Sequence, residues 1–496
     1  MPTDALKDLE LLLRSRYGLI HLDTLEEDRA GSLLQHLADQ LGIPFFSWTR
    51  SRGLVRQGMS DPVYQTSDPL KAFAHVVASG HPALYHVRSL VGGLHGQDLL
   101  VSLIRDAARS MEKVDGAVVL TGAGTELPPS LKEISATVAL PGPSDEEFRE
   151  LLGRIVRDLS ARGHVEVALT REETATLVKH LSGLTLMEAE KILTKSIVED
   201  GSLNSSDIHH VIEAKRQVVE REGLLEYYPA EATMAGIADL RTLKDWLAKR
   251  KAVVQSPEKA QEFGLDFPRG MLLLGVPGCG KSLSAKAVAS EWGLPLLKLD
   301  PSNLYNKYVG ESEANFKRAM RAAERMAPVV LWIDELEKAF ASGGSEDGGV
   351  SQRILGSFLT WMQDRRGDVF VVATANDIKR LPPEFLRKGR FDEIFFVDLP
   401  DEETRQEVFR IHLNSRGHDA AAYDLQALGH ATDGFSGSEL EQVVVSALYT
   451  AFSHDGSVST EALLAEVRGT LPLSVTMAEH IADLRAWAEG RTVRAN

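Results

Sequence analysis

The sequence predicts an α/β protein built from two tandem modules, of which only the second retains the residues of a phosphate-binding site. Two observations carry this prediction. The segment GVPGCGKS (Gly275–Ser282) lies between a short apolar run and a helical pattern, and the order of patterns in the first half of the chain repeats in the second. A chain of 496 residues is long enough for two to four domains with substantial cores.

The bulk composition is that of an ordinary globular protein, with 43% hydrophobic and 25% charged residues. The net charge of −16 disfavours a protein that coats nucleic acid or anionic membrane, although a local basic groove stays compatible with it. The single cysteine, Cys279, excludes an internal disulfide and a multi-cysteine metal site. Because the sequence shows neither a signal-peptide core nor a membrane span of roughly 20 apolar residues, we expect a cytoplasmic protein.

The segment Gly275–Ser282 fits the phosphate-loop pattern G-x4-G-K-[ST] and joins the strand MLLLG to the helix SLSAKAVASEW. In this pattern glycines turn backbone N–H groups toward the phosphates, Lys281 reaches the β- and γ-phosphates, and the Ser282 hydroxyl binds Mg²⁺. Cys279 occupies a position that favours small residues, so packing and a thiol modification that blocks ATP are its two interpretations. The residues expected to contact the nucleotide are Gly275, Pro277, Gly278, Cys279, Gly280, Lys281, Ser282 and Leu283.

Two later strands end in polar residues suited to hydrolysis. The strand VVLWI is followed by Asp334 and Glu335, which are expected to hold Mg²⁺ through water and to activate the attacking water, respectively. The strand DVFVVATAN ends in Asn376, whose amide could help to position that water. Without a preceding phosphate loop, an acidic strand end would carry little functional information.

Two arginines, Arg387 and Arg390, lie on the irregular segment LRKGRFD. Arginine suits bidentate contact with phosphate, and such a group supplied by a neighbouring subunit accelerates phosphoryl transfer by roughly 10³–10⁵-fold. The sequence therefore predicts an arginine finger here, with a solvated basic loop as the alternative.

Together, GVPGCGKS, LWIDELEK, ATAN and LRKGRFD resemble the AAA clade of AAA+ ATPases, and the resemblance runs from Gly236 to the end of the chain. The stretches LKDWLAKRKAV, VLWIDELEKAF and RKGRFDEIFFVDLP resemble more specifically an uncharacterised AAA family. That family is named from a conserved hypothetical chloroplast open reading frame and also occurs in cyanobacteria and other bacteria. The segment RSRYGLIHLDTLEEDR extends this resemblance to the whole chain.

The AAA resemblance implies further assignments. Each module should be a three-layer αβα sheet with a helical lid, and the protein should use ATP and Mg²⁺ in a ring of its own copies, a hexamer. Tyr308 and Val309 would form the substrate-gripping pair of a pore loop, unless Tyr308 packs locally. The residues implied on the adenine side are Gly236, His412, Gly437 and Ser438.

The first half repeats the second without its chemistry. LGIPFFSWT parallels WGLPLLKLD, HPALYHVRSL parallels APVVLWIDEL, and HLSGLTLMEAEKIL parallels ATDGFSGSELEQVV. The first of these matches places TLEEDRAG (Thr24–Gly31) over the phosphate loop. The same match puts Ala30 at the position of Lys281, and the second match puts Arg88 and Ser89 at those of Asp334 and Glu335. A further parallel, GAVVLTGAGTELPPSLKE with DVFVVATANDIKRLPPEFLRK, puts Glu133 at the position of Arg387. We therefore expect no nucleotide in the first module, where three acids would repel a triphosphate.

These observations predict four segments: a degenerate module over residues 1–217, a linker over 218–235, a catalytic subdomain over 236–400 and a helical lid over 401–496. The favoured function is an ATPase that remodels or unfolds proteins by threading them through a ring. An ATP-dependent assembly switch or scaffold is the alternative. A nucleic-acid translocase fits less well, because the chain is acidic and its pore loop is apolar. The protein substrate is left open.

Overall fold

The computed structural model describes residues 3–122, 127–161, 165–221, 223–228, 238, 240–304, 311–340, 350–365, 367–387, 389–453 and 457–496. The chain divides into two compact units, Met1–Val211 (unit 1) and Ile212–Asn496 (unit 2). This division falls within the helix Ser206–Glu220, where the predicted end of the first module, residue 217, also lies.

Unit 1 alternates strands and helices. Its strands are β1 (Leu19–Asp23), β2 (Phe45–Thr49), β3 (Gly53–Arg56), β4 (Leu84–Val87), β5 (Ala117–Thr121), β6 (Ala136–Ala139), β7 (Glu166–Val167) and β8 (Ser202–Leu203). Its helices are α1 (Thr3–Arg14), α2 (Glu27–Leu41), α3 (Pro69–Ser79), α4 (Asp98–Glu112), α5 (Pro129–Lys132), α6 (Asp145–Ser160), α7 (Arg171–Leu181), α8 (Leu186–Asp200) and α9 (Ser206–Glu220), the last of which continues into unit 2.

Unit 2 has the same alternation. Its strands are β9 (Leu225–Tyr228), β10 (Gly270–Gly275), β11 (Leu296–Leu299), β12 (Val329–Ile333), β13 (Val369–Ala375), β14 (Glu393–Val397) and β15 (Val493–Arg494). Its helices are α10 (Arg241–Gln255), α11 (Pro257–Glu262), α12 (Lys281–Trp292), α13 (Glu311–Arg325), α14 (Leu336–Phe340), α15 (Val350–Asp364), α16 (Glu402–Ser415), α17 (Leu425–Ala431), α18 (Gly437–Ser453), α19 (Thr460–Gly469), α20 (Leu473–Thr476) and α21 (Ala478–Ala488). Of the helices in the described ranges, none is long and apolar enough to cross a membrane.

The two main sheets share one topology. Within the described residues, the strand order is β3-β2-β4-β5-β1-β6 in unit 1 and β15-β14-β10-β13-β12-β11-β9 in unit 2. The parallel strands β6-β1-β5-β4-β2 therefore follow the same path as β14-β10-β13-β12-β11. This common order confirms the predicted fold class of two tandem α/β modules.

The strand registers also agree with the predicted alignment of the two halves. Val87 pairs with Leu120 in unit 1, and its counterpart Ile333 pairs with Ala373 in unit 2. One residue further along, Thr121 pairs with Leu22, whereas Thr374 pairs with Leu273. Counting on from these pairs places Thr24 over Gly275, which is the superposition predicted from separate sequence matches.

Successive residues of a strand point to opposite faces of the sheet, and in both units the buried strand residues on each face belong to a separate apolar cluster. In β10, Leu272 and Leu274 enter one apolar cluster and Met271 and Leu273 another. Helix α15 contributes Phe358 to the first cluster, and helix α12 packs in the second. The result is the three-layer arrangement that positions the loop after β10 at one edge of the sheet.

Two predicted boundaries do not coincide with the packing. The predicted linker, 218–235, contains the strand β9, which pairs antiparallel with β11 at the sheet edge. The predicted lid, 401–496, has its own core between α16 and α19, but α21 places Leu484 and Ala488 in the core of the large sheet. Sequence patterning showed these segments as helical or turn-rich without showing which core they join.

Candidate functional site

The loop after β10 forms a tight cradle in which glycine is required. Gly278 and Gly280 have φ values of 77° and 89°, a region that side chains with a Cβ rarely adopt. A Cβ on Gly278 would lie 2.1 Å from the Ser438 Oγ of the lid. Helix α12 begins at Lys281, directly after the loop, so its unpaired N–H groups face the cradle and favour an anion there.

Lys281 is nearly buried, with 6% of its surface exposed. Its Nζ donates to the carbonyl oxygens of Gly275 (3.0 Å) and Val276 (2.7 Å). Burial lowers the pKa of the ammonium to about 8, although nearby acids such as Glu337 and Asp334 act to raise it. An incoming phosphate would compensate this buried cation and replace backbone carbonyls as its partner.

A hydroxyl and carboxylate cluster lies beside the cradle. Ser282 Oγ donates to Asp334 Oδ1 at 3.0 Å, and Thr374 Oγ1 donates to the same oxygen. The backbone N–H of Glu335 in turn donates to Thr374 Oγ1 at 3.0 Å. Thr374 thus connects the two acids, a role that sequence reasoning missed although a hydroxyl in the apolar strand VFVVATA was its signal.

Glu335 adopts a left-handed backbone conformation, with φ 50°, which is uncommon for a residue with a side chain. Its Oε1 accepts a hydrogen bond from Asn376 Nδ2 at 3.3 Å, and its Oε2 pairs with Lys338 Nζ at 2.6 Å. These two contacts hold the carboxylate in place, and because it is 37% exposed it still reaches the solvent of the cleft. The structure therefore brings the two predicted water-positioning residues into contact.

Glu337 is a second residue that the sequence analysis did not single out. It is 3% exposed, and its Oε1 accepts from the Asn376 backbone N–H at 2.9 Å. Within the described residues its other carboxyl oxygen is buried without a hydrogen-bond partner, and burial raises the pKa of this group. On the other side, His480 Nε2 lies 3.2 Å from the Asn376 carbonyl oxygen. Asn376 is consequently held by α14 and α21.

A cleft of about 460 Å³ extends from this cluster to the lid. Its polar lining includes Lys281, Ser282 and Asp334, and the segment before α10 and helix α16 contribute apolar residues toward the lid. These apolar residues are Ala238, Leu240, Val408 and Ile411. A ligand with a charged and a flat apolar part, such as a nucleoside triphosphate, matches this division.

The lid touches the cradle directly. The Ser438 N–H donates to the Gly278 carbonyl oxygen at 3.0 Å, and Gly437 also lines the cleft. His412 lines it from α16, where its Nδ1 lies 3.2 Å from Arg416 Nη1 and burial lowers its pKa. The predicted lid residues therefore share one cleft with the predicted loop residues from Pro277 to Leu283.

Cys279 is packed within the loop. Its Sγ lies 3.8 Å from the Pro277 carbonyl oxygen, and the side chain borders an apolar cluster. Burial raises the pKa of the thiol to about 11, so little of the reactive thiolate is present near neutral pH. This environment favours packing over thiol modification as the explanation of Cys279.

The two predicted arginines do not line the cleft. Arg387 is exposed and does not line it. Arg390 is only 8% exposed and donates from Nη1 to the Glu384 carbonyl oxygen, so it is occupied within its own loop. The predicted residues Tyr308, Val309 and Gly236 lie outside the described residues.

The donor set fits a magnesium–nucleotide pair. The described residues contain no group of three or more His, Cys, Asp or Glu side chains that could hold a metal by themselves. Ser282 and Asp334 instead offer one hydroxyl and one carboxylate, and protein-bound Mg²⁺ usually takes one or two carboxylates with waters and substrate phosphates. The glycine cradle and buried Lys281 supply the complementary site for those phosphates.

The corresponding position in unit 1 is occupied by carboxylates. Glu27 accepts from the Ser89 N–H (2.6 Å), the Ser89 hydroxyl (2.7 Å) and Thr121 Oγ1 (3.0 Å). Asp28 pairs with Arg88 at 2.5 Å. Two of the acids that we expected to repel phosphate are thus satisfied by residues at the positions of Asp334, Glu335 and Thr374.

The backbone geometry of unit 2 is also retained in unit 1. Ser89, the counterpart of Glu335, has φ 54°, close to the 50° of Glu335. The lid contact is retained as well, because the Leu186 N–H at the start of α8 donates to Glu26 Oε1 at 2.8 Å. Unit 1 therefore keeps the shape of the site while its own side chains fill it.

Comparison with known proteins yields three family matches and several full-length relatives. The model for the ATPase family associated with various cellular activities matches residues 271–399, and models for the N-terminal and second domains of SpoVK-like AAA ATPases match residues 5–140 and 146–222. The chain is 35% identical over 496 residues to the uncharacterized AAA domain-containing protein ycf46 of Pyropia yezoensis, covering 99% of both chains. It is 34% identical over 494 residues to the ycf46 protein of Guillardia theta, covering 98% of this chain and 96% of that protein. It is also 37% identical to the human ATPase family gene 2 protein homolog A over 206 residues, which are 41% of this chain and 23% of that protein.

Proposed function

We propose that this chain, which belongs to the AAA family of ATPases, binds Mg-ATP in the cleft of unit 2 and hydrolyses it to remodel other proteins. The full-length relatives confirm the family that the sequence predicted. The observation that carries the proposed activity is the connected network Ser282–Asp334–Thr374–Glu335 beside the buried Lys281. Such a network places an ammonium, a hydroxyl and two acids around one anion-binding loop.

Each side chain has a distinct role in this proposal. Lys281 and the loop N–H groups bind the β- and γ-phosphates. Glu335 accepts a proton from the attacking water while the Asn376 amide, 3.3 Å from its carboxylate, fixes its orientation. Ser282 and Asp334 would hold Mg²⁺, which neutralises charge on the phosphate oxygens when bound. The left-handed backbone at Glu335 aims the carboxylate toward the cleft before the substrate arrives.

Two variants test the ATPase and separate binding from hydrolysis. Lys281→Ala should abolish ATP binding measured with a fluorescent analogue, because no other ammonium lines the cleft among the described residues. Glu335→Gln should bind ATP normally and reduce steady-state hydrolysis by at least about 100-fold, as expected for the loss of a general base. Lys251→Ala, which breaks an exposed pair with Glu291 outside the cleft, is a matched control. Wild-type turnover by Glu335→Gln would refute the assigned role.

We further propose that the enzyme works as a ring, a hexamer of identical chains. Arg387 is exposed and absent from the lining of its own cleft, which supports a role as the finger for a neighbouring subunit. Arg387→Ala should bind ATP and hydrolyse it slowly, and adding Lys281→Ala subunits should restore part of the rate. The buried Arg390 fits a loop-stabilising role better. Absence of any restoration in mixed assemblies would count against the ring.

Threading of a polypeptide on Tyr308 and Val309 remains a proposal that rests on the family resemblance. Tyr308→Ala should keep basal ATPase and lose remodelling of a protein substrate captured with the Glu335→Gln variant. If Tyr308→Ala remodels such a substrate normally, the assembly switch without threading becomes the better account. A change of the ATPase rate on addition of DNA or RNA would instead favour a nucleic-acid translocase. The cytoplasmic location also stays a prediction.

For unit 1 we propose a docking or ring-shaping role without nucleotide. The carboxylates of Glu27 and Asp28 are already paired at the position of the phosphate loop, which supports this division of labour. Equilibrium titration of wild-type chain with radiolabelled ATP should therefore give one site per chain. Lys281→Ala should abolish this ATP binding completely, and residual binding in the variant would contradict a unit 1 without nucleotide.

A further inference from the structure

We propose that Asn496 binds the nucleoside part of the nucleotide, so that the segment after β15 forms one wall of the cleft. This inference rests on the proposed ATP site in unit 2. Asn496 lines that cleft together with Ala238 and Leu240, although it lies in sequence more than 200 residues beyond the phosphate loop. No motif marks it, because a short polar segment at this position carries no sequence signal.

The strand β15 brings this segment to the correct edge of the sheet. Val493 and Arg494 pair in parallel with Phe395 and Phe396 of β14, the neighbour of the phosphate-loop strand β10. The Ala495 N–H extends this pairing by donating to the Phe396 carbonyl oxygen at 3.0 Å. Ligands of open parallel sheets bind beyond the carboxyl ends of the strands, and β15 runs toward that edge.

The segment is also anchored to the helix that borders the cleft. Ala495 is fully buried in a cluster that includes Leu240 and Leu243, and its carbonyl oxygen accepts from the Leu243 N–H at 3.2 Å. Thr242 Oγ1 donates to the Asn496 carbonyl oxygen at 3.0 Å. Backbone contacts on both sides therefore fix Asn496 at the start of α10, while its side chain stays exposed.

Helix α21, which precedes β15, is also anchored beside the cleft. In α21, Arg485 makes a bidentate pair with Asp398, with contacts of 2.9–3.0 Å, and Asp398 itself lines the cleft. Leu484 and Ala488 of the same helix are buried in the core of the sheet. A wall anchored by these contacts is preorganised for binding, which reduces the entropy lost when a ligand binds.

The chemistry of an amide suits the edge of a nucleoside. Asn496 borders the cleft and is exposed, and its amide carries both an N–H₂ donor and a C=O acceptor. Its neighbours Ala238 and Leu240 offer apolar surface to a flat base, whereas Lys281 and Ser282 serve the phosphates. An amide can donate and accept at the same time, as adenine requires.

The test compares a nucleotide with its phosphate chain alone. Asn496→Ala should weaken ADP binding by about tenfold, the effect of one or two lost hydrogen bonds, and leave the affinity for inorganic tripolyphosphate within about twofold. Arg494→Ala is the matched control, because Arg494 lies in β15 two residues before Asn496, is exposed and does not line the cleft. Thermal unfolding of both variants should match wild type. If Asn496 had only a structural role, the variant would weaken the affinities for ADP and tripolyphosphate together.

The outcomes separate this inference from the proposed function. If wild type binds ADP and tripolyphosphate, Lys281→Ala binds neither, and Asn496→Ala binds ADP within twofold of wild type, the role of Asn496 is refuted and the ATP site stands. Equal weakening of both ligands by Asn496→Ala also overturns it. If wild type binds neither ligand, the proposed ATP site itself fails.

Discussion

The most informative perturbation of unit 1 is Arg29→Ala. Arg29 follows the acidic loop, and its guanidinium donates to Glu147 through two bonds of 2.9 Å and to Glu26 at 3.0 Å. It also donates to the carbonyl oxygens of Pro141 (2.5 Å) and Gly142 (3.4 Å). The single side chain therefore joins the loop after β1 to the segment that leads into α6.

The expected cost follows from burial. The side chains of Arg29, Glu26 and Glu147 are 8%, 9% and 13% exposed, so removing the cation leaves two nearly buried carboxylates without it. Breaking a buried pair by removing one partner typically costs about 3–5 kcal/mol. The pair Arg16–Asp115 in the same unit has a similar distance of 3.0 Å but is 69% and 67% exposed, so Arg16→Ala should cost about 1 kcal/mol or less.

Hydrogen exchange read by mass spectrometry on peptides that cover β1 measures this difference in the full chain, since the buried strand reports opening of unit 1. Glu147→Gln combined with Arg29→Ala should recover part of the loss by removing one unpaired charge. The burial of Glu147 raises its pKa, but hydrogen bonds from Arg29 and Ser144 outweigh this and lower it overall. The stabilisation should therefore be present above about pH 4.5 and be lost as the pH falls further. Equal effects of Arg29→Ala and Arg16→Ala would refute the reasoning.

Three further predictions concern single residues. Burial lowers the pKa of His86 to about 4, below its ordinary 6.5, so the unfolded chain takes up the proton first as the pH falls. The free energy of unfolding of unit 1 should therefore decrease by about 3 kcal/mol between pH 6.5 and pH 4. His86→Phe should flatten this pH dependence, measured by hydrogen exchange. Burial raises the pKa of the Cys279 thiol to about 11, so at pH 7.5 it should react with iodoacetamide at least about tenfold more slowly than free cysteine. Fast alkylation would instead support a redox role for this thiol. Gly278→Ala should lose most ATP affinity in the analogue-binding assay because its Cβ would meet Ser438 Oγ at 2.1 Å, whereas Gly264→Ala, in open space, should keep it.

Sequence alone determined the fold class and the centre of the site. The phosphate loop and the two acids after β12 follow local rules, since backbone N–H groups, an ammonium and Mg²⁺ ligands must come at set spacings next to strand ends. The internal repeat was equally readable, because the buried strands keep their apolar patterns in both halves although the residues of the proposed site occur in only one. Strand order and register then agreed with that alignment.

Tertiary structure decided how distant side chains meet. Thr374 joins the two acids, His480 supports Asn376, and Asn496 enters the cleft only because sheet and helix packing brings separate segments together. The same packing buries Arg390, which the sequence presented as equivalent to Arg387. In unit 1 the sequence showed three acids, but their partners come from β4, β5 and the lid, so only the fold turned an expected repulsion into an internally satisfied site.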